Sequence, residues 1–587
     1  MESGSIWVVL AVIFGGLGVG KWILKKVNWW LYEAELGEKQ YSLPPGDLGW
    51  PFIGNMWSFH RAFKSSDPDS FMRTFINKYT ANFSFSTSLF FHFMYIHISW
   101  HFRSSDFPLG MMPFHHSSLF PGEVAIRYGH NGIYKAFMFG NPSIFVTTPE
   151  ACRKVLSNDD AFKPGWPIST LKLVGRKSFI GISYEEHKRL RRLTSAPVNG
   201  HEALSIYIPY IEENVIAMLE KWTIMGKIEF LTQMRKLTFR IIMYIFLSSE
   251  SEVVMEALEK DYTTLNYGVR AMAINLPGFA YYKALKARKR LVTIFQSIVD
   301  ERRNLRKNGA LNAKKKDMMD SLLGVEDENG RKLTDEEIID VILMYLNAGH
   351  ESSGHITTWA TIFLQEHPEF LQKAKEEQEQ IVKRRPPAQK GLSLKEVREM
   401  DYLSKVIDET LRLITFSLTV FREAKTDFNI NGYIIPKGWK VLVWFRTIHL
   451  DPEIYPNPKK FNPSRWDVSQ SALAVVTIYY ILRITIYINI LNCRITPPNQ
   501  GLSFLSELEA GCALEMILPS LKYLFFCIIF FLIIGSNVKI LNVVGCSSLI
   551  QDQQTIVWLE SRKFHPHLYK KQERGHAFID GYVVKSR

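Results

Sequence analysis

The stretch LNAGHESSGHITTW, Leu346–Trp359, lies inside an otherwise apolar run. Ile338, Ile339, Val341, Ile342, Leu343, Met344 and Tyr345 precede it, and Ile356, Trp359, Ala360, Ile362, Phe363 and Leu364 carry the run on. These flanks predict one long buried helix. Thr334 and Glu337 have capping-box spacing, and Asp335 and Glu336 place negative charge in the first turn. Pro368 stops the helix near Glu366 and biases His367 away from α. Such a helix spans roughly 45 Å, the width of a domain. Its middle is polar. A zinc site is the wrong reading of HESSGH: two helical ligands need i and i+4 spacing, and His350 and His355 are five residues apart. Close packing would explain Ala348, Gly349 and Gly354, but not Glu351 beside two hydroxyls, because a buried acid is costly unless used or paired. A functional reading covers both. Gly349 lets a bulky group approach the backbone, and Glu351 and Ser352 offer an acid and an alcohol there, suited to handing protons to a bound oxygen species.

The whole chain of 587 residues can bury a large core, and its formal net charge is +13. That balance favours an acidic partner or a membrane surface. With no zinc-finger spacing and no basic-aromatic stripe, nucleic acid is not expected. Cys152, Cys493, Cys512, Cys527 and Cys546 form no CxxC pair and no disulfide framework, consistent with a reducing, cytosol-facing location. Ser5 to Leu24 is apolar except for Lys21, and Lys25 and Lys26 close the run. We read 5–24 as an uncleaved membrane anchor, about 20 residues being enough to span, with the body on the side of the basic cluster.

Next comes LPPGDLGWPFIGN, Leu43–Asn55. Three prolines stiffen it and three glycines permit tight turns. Residues 40–56 thus read as a proline-rich hinge, and Trp50, Phe52 and Ile53 predict that it packs down. Residues 80–126 have almost no charge and no periodicity. Regular texture resumes with the Asn131-Gly132 turn, a strand over Ser143–Thr147, and a helix capped by Thr148 with Pro149 first. From there to about Asp467 the chain reads as mainly helical. The exception is a strand-rich patch, FNINGYIIPKGWKVLVWF, cut into hairpins at Gly432 and Lys437-Gly438. ARKRLVTIFQSIVDERRNLRKNG reads as an amphipathic helix with a solvated basic face, and LNAKKKD as a loop. After Asp467 the texture turns apolar and β-branched.

AGHESS resembles the A/G-G-x-D/E-T/S motif of the cytochrome P-450 distal helix. ETLR gives Glu409 and Arg412 at E-x-x-R spacing, on one helix face. FNPSRW, Phe461–Trp466, is similar to the family's F-x-P-x-R-W segment. HKRLR places His187 and Arg191 where the family often has W-x-x-x-R. Two longer stretches, LNAGHESSGHITTWATIFLQEHPEF and FREAKTDFNINGYIIPKGWKVLVWFRTIHLDPE, resemble the plant ent-kaurenoic acid oxidases, in which His at 187 and Ser at 352 are usual. The resemblance covers roughly 30–79 and 127–467.

The resemblance implies a mainly α domain with a small β portion, the cytochrome P-450 fold on an N-terminal transmembrane helix. The catalytic domain would comprise 57–79 and 127–467. It implies haem b, with Arg191 and Arg422 at the propionates and His187 and Gly349 beside the cofactor. Glu351 and Ser352 would relay protons, and Glu409, Arg412 and Arg465 would brace the fold. It implies electrons from NADPH through NADPH-cytochrome P-450 reductase, a terpenoid substrate, and the endoplasmic reticulum membrane, with ent-kaurenoic acid oxidised toward gibberellin precursors. A triterpene oxidase is the alternative within the class. The sequence departs from the family at its most specific motif: F-x-x-G-x-R-x-C-x-G, whose cysteine ligates the iron, is absent. Cys493 in ILNCRIT is a weak candidate. Residues 80–126 and 468–587 have the composition of translated non-coding DNA and read as a foreign insertion and tail. A haem-free, inactive membrane protein from a misassembled gene is therefore the alternative outside the class.

Overall fold

The protein is described here by a computed structural model covering residues 41–64, 69–78, 132–199, 201–225, 227–248, 252–308, 317–389, 391–415 and 419–467, parts of 16–36, and two strands of the tail. The strands are β1 Ile133–Met138, β2 Asn141–Val146, β3 Phe162–Pro164, β4 Lys227–Glu229, β5 Thr419–Ala424, β6 Phe428–Ile430, β7 Tyr433–Ile435, β8 Lys440–Trp444, β9 Val538–Asn542 and β10 Val557–Ser561. The principal helices are α1 Tyr184–Asn199, α2 Phe230–Leu247, α3 Glu252–Arg270, α4 Ala280–Lys307, α5 Asp335–Glu366 and α6 Asp401–Ile414. The chain divides into two compact units. One holds 1–155, 423–444 and 546–552; the other holds 156–422, 445–545 and 553–587.

The first unit is built on a hairpin. β1 and β2 pair antiparallel from Ile133↔Val146 to Met138↔Asn141. Phe139 and Gly140 between them both take positive φ, the geometry that a two-residue hairpin turn demands. β2 then pairs parallel with β8, Ser143 opposite Lys440. The expected strand and its following helix, Pro149–Leu156, are both present, and the break anticipated at Gly432 is the turn of the β6–β7 hairpin, where Asn431 and Gly432 both take positive φ. The hinge does lie against this unit, through its backbone. A Cβ at Gly54, where φ is +59°, would stand 2.2 Å from the carbonyl oxygen of Phe137, so only glycine fits. The Asn28 side-chain amide donates to the carbonyls of Leu48, Gly49 and Trp50 at 2.9, 3.2 and 3.0 Å. The expectation that Trp50, Phe52 and Ile53 bury is corrected: they are 48%, 84% and 45% exposed, and Leu48 is the side chain that buries. The glycine turns bring the backbone close and leave the bulky neighbours pointing outward.

The second unit is helical, with α5 at its centre. The Thr334 hydroxyl accepts from the backbone N–H of Glu337, whose carboxylate accepts from that of Thr334: the capping box is formed. The helix ends at Glu366, before Pro368. Twenty-four of its 32 residues are buried, polar middle included, which requires neighbours on all sides. α2, α4 and α6 supply these. α4 buries Ala284, Ala287, Leu291, Phe295 and Val299 at helical spacing, as its amphipathic pattern predicts. In the tail, β10 pairs antiparallel with both β4 and β9. The remainder of 468–587, the segment 80–126, Cys493 and most of 5–21 lie outside the described residues. Among the described residues no helix is long and apolar enough to cross a membrane.

Candidate active site

Every sequence-predicted site residue that the structure describes falls in the helical unit, in three groups. The first is the middle of α5. Glu351 is buried, and its Oε2 accepts from Arg235 Nε of α2 at 3.2 Å and forms an ion pair with Arg235 Nη2 at 3.1 Å. Arg270 of α3 stands 3.7 Å away and the His355 ring 3.5 Å away. Burial pushes the Glu351 carboxyl up, but His350, Arg235, Arg270 and His355 more than offset it and hold it below the usual range. Ser352 and Ser353 face other partners. Their hydroxyls donate back to Ala348 and Gly349 carbonyls, each at 2.5 Å, which relaxes the local α-helical bonding. The acid and the alcohol thus belong to one buried turn but serve different contacts.

The second group is a buried basic cluster. His187 of α1 is buried against Phe179. Its imidazole is pushed down to about 4 by burial first and then by the charges of Arg191 and Arg422. The charge of each arginine is thus felt at the imidazole. Arg422, on β5, is 1% exposed. All three of its guanidinium nitrogens are buried without a hydrogen-bond partner among the described residues. An isolated buried cation is costly unless an anion meets it. His187 also makes a pH prediction. Its folded pKa lies below the ordinary value of about 6.5, so the unfolded chain takes up the proton first as pH falls. Stability present above about pH 6.5 is therefore lost progressively down to about 4. Replacing His187 with Asn should flatten the stability curve there by about 1.4 kcal/mol per pH unit, measured by urea unfolding at stepped pH.

The third group centres on Glu409 of α6, fully buried beside Arg412, 1% exposed. They pair bidentately, both bonds at 2.9 Å. Arg465 Nε joins at 3.0 Å and also donates to the Pro456 and Lys460 carbonyls. The predicted association of Glu409, Arg412 and Arg465 is therefore present. Sequence reasoning missed its other members: the Trp466 indole N–H at 3.1 Å, the Asn462 backbone N–H at 3.0 Å, and the His449 carbonyl that accepts from Arg412 at 2.7 Å. It also missed Arg235. The available signal was an arginine on the row Leu231, Arg235, Thr238, Ile242, the otherwise buried face of α2.

The sequence profile described as Cytochrome P450 matches residues 116–481. The chain belongs to the cytochrome P450 family. Ent-kaurenoic acid oxidase 1 of Arabidopsis thaliana is 64% identical over 462 residues, 79% of this chain and 84% of that one. Ent-kaurenoic acid oxidase of Oryza sativa subsp. japonica is 45% identical over 79% of this chain and 83% of its own. 7,8-epoxymelianol synthase CYP88A154 of Ailanthus altissima is 47% identical over 80% of this chain and 84% of its own. A solved structure, retinoic acid-bound cyanobacterial CYP120A1, shares the fold at a TM-score of 0.63 and 23% identity, covering 89% of this chain and all of that one.

This cytochrome P450 family is one of haem b monooxygenases that draw electrons from NADPH through a reductase. The chain meets one end of such a cofactor well. The unpartnered guanidinium of Arg422, close to Arg191 and a neutral His187, suits a carboxylate-bearing ligand. The thiolate end has no counterpart among the described residues. Their one free cysteine, Cys152, donates to the Val146 carbonyl at 3.4 Å, and burial pushes its thiol far up, the wrong direction for a metal ligand.

Proposed function

We propose that this cytochrome P450 oxidises ent-kaurenoic acid stepwise toward gibberellin precursors. The observation that carries a cofactor-dependent reading is the buried guanidinium of Arg422, whose three nitrogens find no acceptor among the described residues. Arg422 and Arg191 would hold the two haem propionates, with His187 packed beside them as a neutral ring. When bound, the haem supplies dioxygen activation with electrons that originate in NADPH. Glu351 and Ser352 would relay the protons that the reaction consumes, the carboxylate taking up and passing on a proton and the hydroxyl, bonded to the Ala348 carbonyl, lying one residue along, while the missing side chain of Gly349 leaves room for the cofactor. Glu409, Arg412 and Arg465 fix α6 to the segment that precedes the haem ligand in this family.

We further read the chain as anchored in the endoplasmic reticulum membrane by 5–24, with the body in the cytosol. NADPH-cytochrome P-450 reductase would be the electron donor, and the net charge of +13 suits an acidic docking surface. The boundaries proposed for the catalytic domain are 57–79 and 127–467, with 80–126 and 468–587 foreign to it. Likeness to the Arabidopsis and rice oxidases favours the diterpenoid substrate. Likeness to the Ailanthus synthase favours a triterpenoid as the second reading. Microsomes bearing the chain, incubated in parallel with ent-kaurenoic acid and a melianol-type triterpene, should oxidise the first. Oxidation of the second alone would reverse the assignment. The absent F-x-x-G-x-R-x-C-x-G motif favours a haem-free protein. A reduced, carbon monoxide-treated sample should give the absorption band of thiolate-ligated haem, and a flat spectrum from folded protein would establish the haem-free reading.

A further inference from the structure

Several residues in the middle of α5 converge on one residue of α2, Arg235. His350 Nε2 donates to the Arg235 carbonyl at 2.9 Å. Glu351 accepts from the guanidinium Nε and pairs with its Nη2 at 3.1 Å. Gly354 lies alongside the aliphatic stem, where an added Cβ would meet Arg235 Cγ at 3.5 Å. His355 Nδ1 donates to the Glu351 carbonyl at 2.8 Å, and its Nε2 faces the guanidinium at 3.5 Å. Thr238, one turn along α2, bonds to the carbonyls of Arg235 and His350 at 3.1 and 3.3 Å. Four of the six residues of HESSGH thus form a socket for one arginine that lies over a hundred residues earlier in the chain.

We propose that Arg235 is a positioning residue: it holds the Glu351 carboxylate on the α2 side of α5, and proton transfer through Glu351 depends on that grip. This rests on the reading of Glu351 as a proton-handling group. Arg235 donates five N–H bonds at most and accepts none, so it cannot itself pass protons through this contact. Its effect is on where the carboxylate points and whether it is charged. The other groups facing Glu351 are Arg270 and Tyr262 from α3 and His350 and His355 from α5. Arg270 is 36% exposed at its side chain, against 17% for Arg235. Water therefore weakens the Arg270 contact more, and Arg235 is the dominant grip.

The test compares Arg235→Gln, Arg235→Lys, Glu351→Gln and the double Gln variant in the full chain. In thermal unfolding, Arg235→Gln should lower the midpoint when Glu351 is present and have little effect when Glu351 is Gln. In turnover by the haem-loaded protein, Arg235→Gln should lower kcat about 10- to 100-fold with KM little changed, the range expected for a misplaced catalytic group. Without the arginine, burial dominates, so the Glu351-dependent limb of the pH profile should move to higher pH. Arg235→Lys should restore much of both. Additive losses in the double variant, or a pH profile unmoved by Arg235→Gln, would overturn the inference while leaving Glu351 as a proton group. A Glu351→Gln variant with the parent's turnover and pH profile would overturn both.

Discussion

Glu409→Gln is expected to destabilise the helical unit by about 3–5 kcal/mol, the cost of breaking a buried ion pair by removing one partner. The wild-type carboxylate accepts from Arg412 twice, from Arg465, from the Trp466 indole and from the Asn462 backbone. An uncharged amide keeps the shape but offers one oxygen and presents an NH2 to guanidinium donors. Arg412, 1% exposed, then loses its counter-charge and, among the described residues, keeps the amide oxygen, the His449 carbonyl and the Tyr455 ring face. Denaturant unfolding of the two proteins measures the difference directly. Loss of most folded protein is expected, because the cost is a large share of a typical domain's total stability. Asp408→Asn, at the neighbouring position, is the control and should stay within about 0.5 kcal/mol if it behaves as an ordinary surface change.

Arg422→Leu should change sign with the cofactor. In the haem-free chain it removes a buried cation with no partner among the described residues, so the variant should be as stable as its parent or more stable, in line with replacing buried charge by apolar volume. With haem, and with Arg422 holding a propionate as proposed, the same change would remove that partner. Truncating one side of a buried, hydrogen-bonded charge pair costs about 2–5 kcal/mol, so haem retention should weaken by at least about 30-fold. Two experiments, unfolding without haem and haem transfer to an acceptor globin, separate the effects. Arg422→Lys should fall between, since one ammonium cannot reproduce a planar fork. Equal destabilisation in both states would identify Arg422 as an ordinary structural residue.

Local chemistry was legible in the sequence wherever the partners are near in the chain. The capping box at Thr334, the stop at Pro368, the turn at Gly432 and the Glu409–Arg412 pair all join residues within a few positions, and all are present. The family's motifs carried the longer reach, bringing Arg465 to Glu409. What failed was the inference of burial from hydrophobicity alone at Trp50, Phe52 and Ile53: an apolar residue after a glycine turn can as readily be turned outward as inward. Arg235 escaped because nothing in one sequence pairs it with Glu351. The pattern disclosed an arginine on a buried helix face and an acid in a buried helix, but not that each was the other's solution.

The grip of Asn28 on three successive carbonyls bears on how the protein can be handled. A common way to make such a chain soluble is to start expression just ahead of the prolines. That cut would discard the amide and leave the oxygens of Leu48, Gly49 and Trp50 to water, loosening the very turn that Gly54 folds against Phe137. Shortened versions should keep residue 28 and lose only what comes before it.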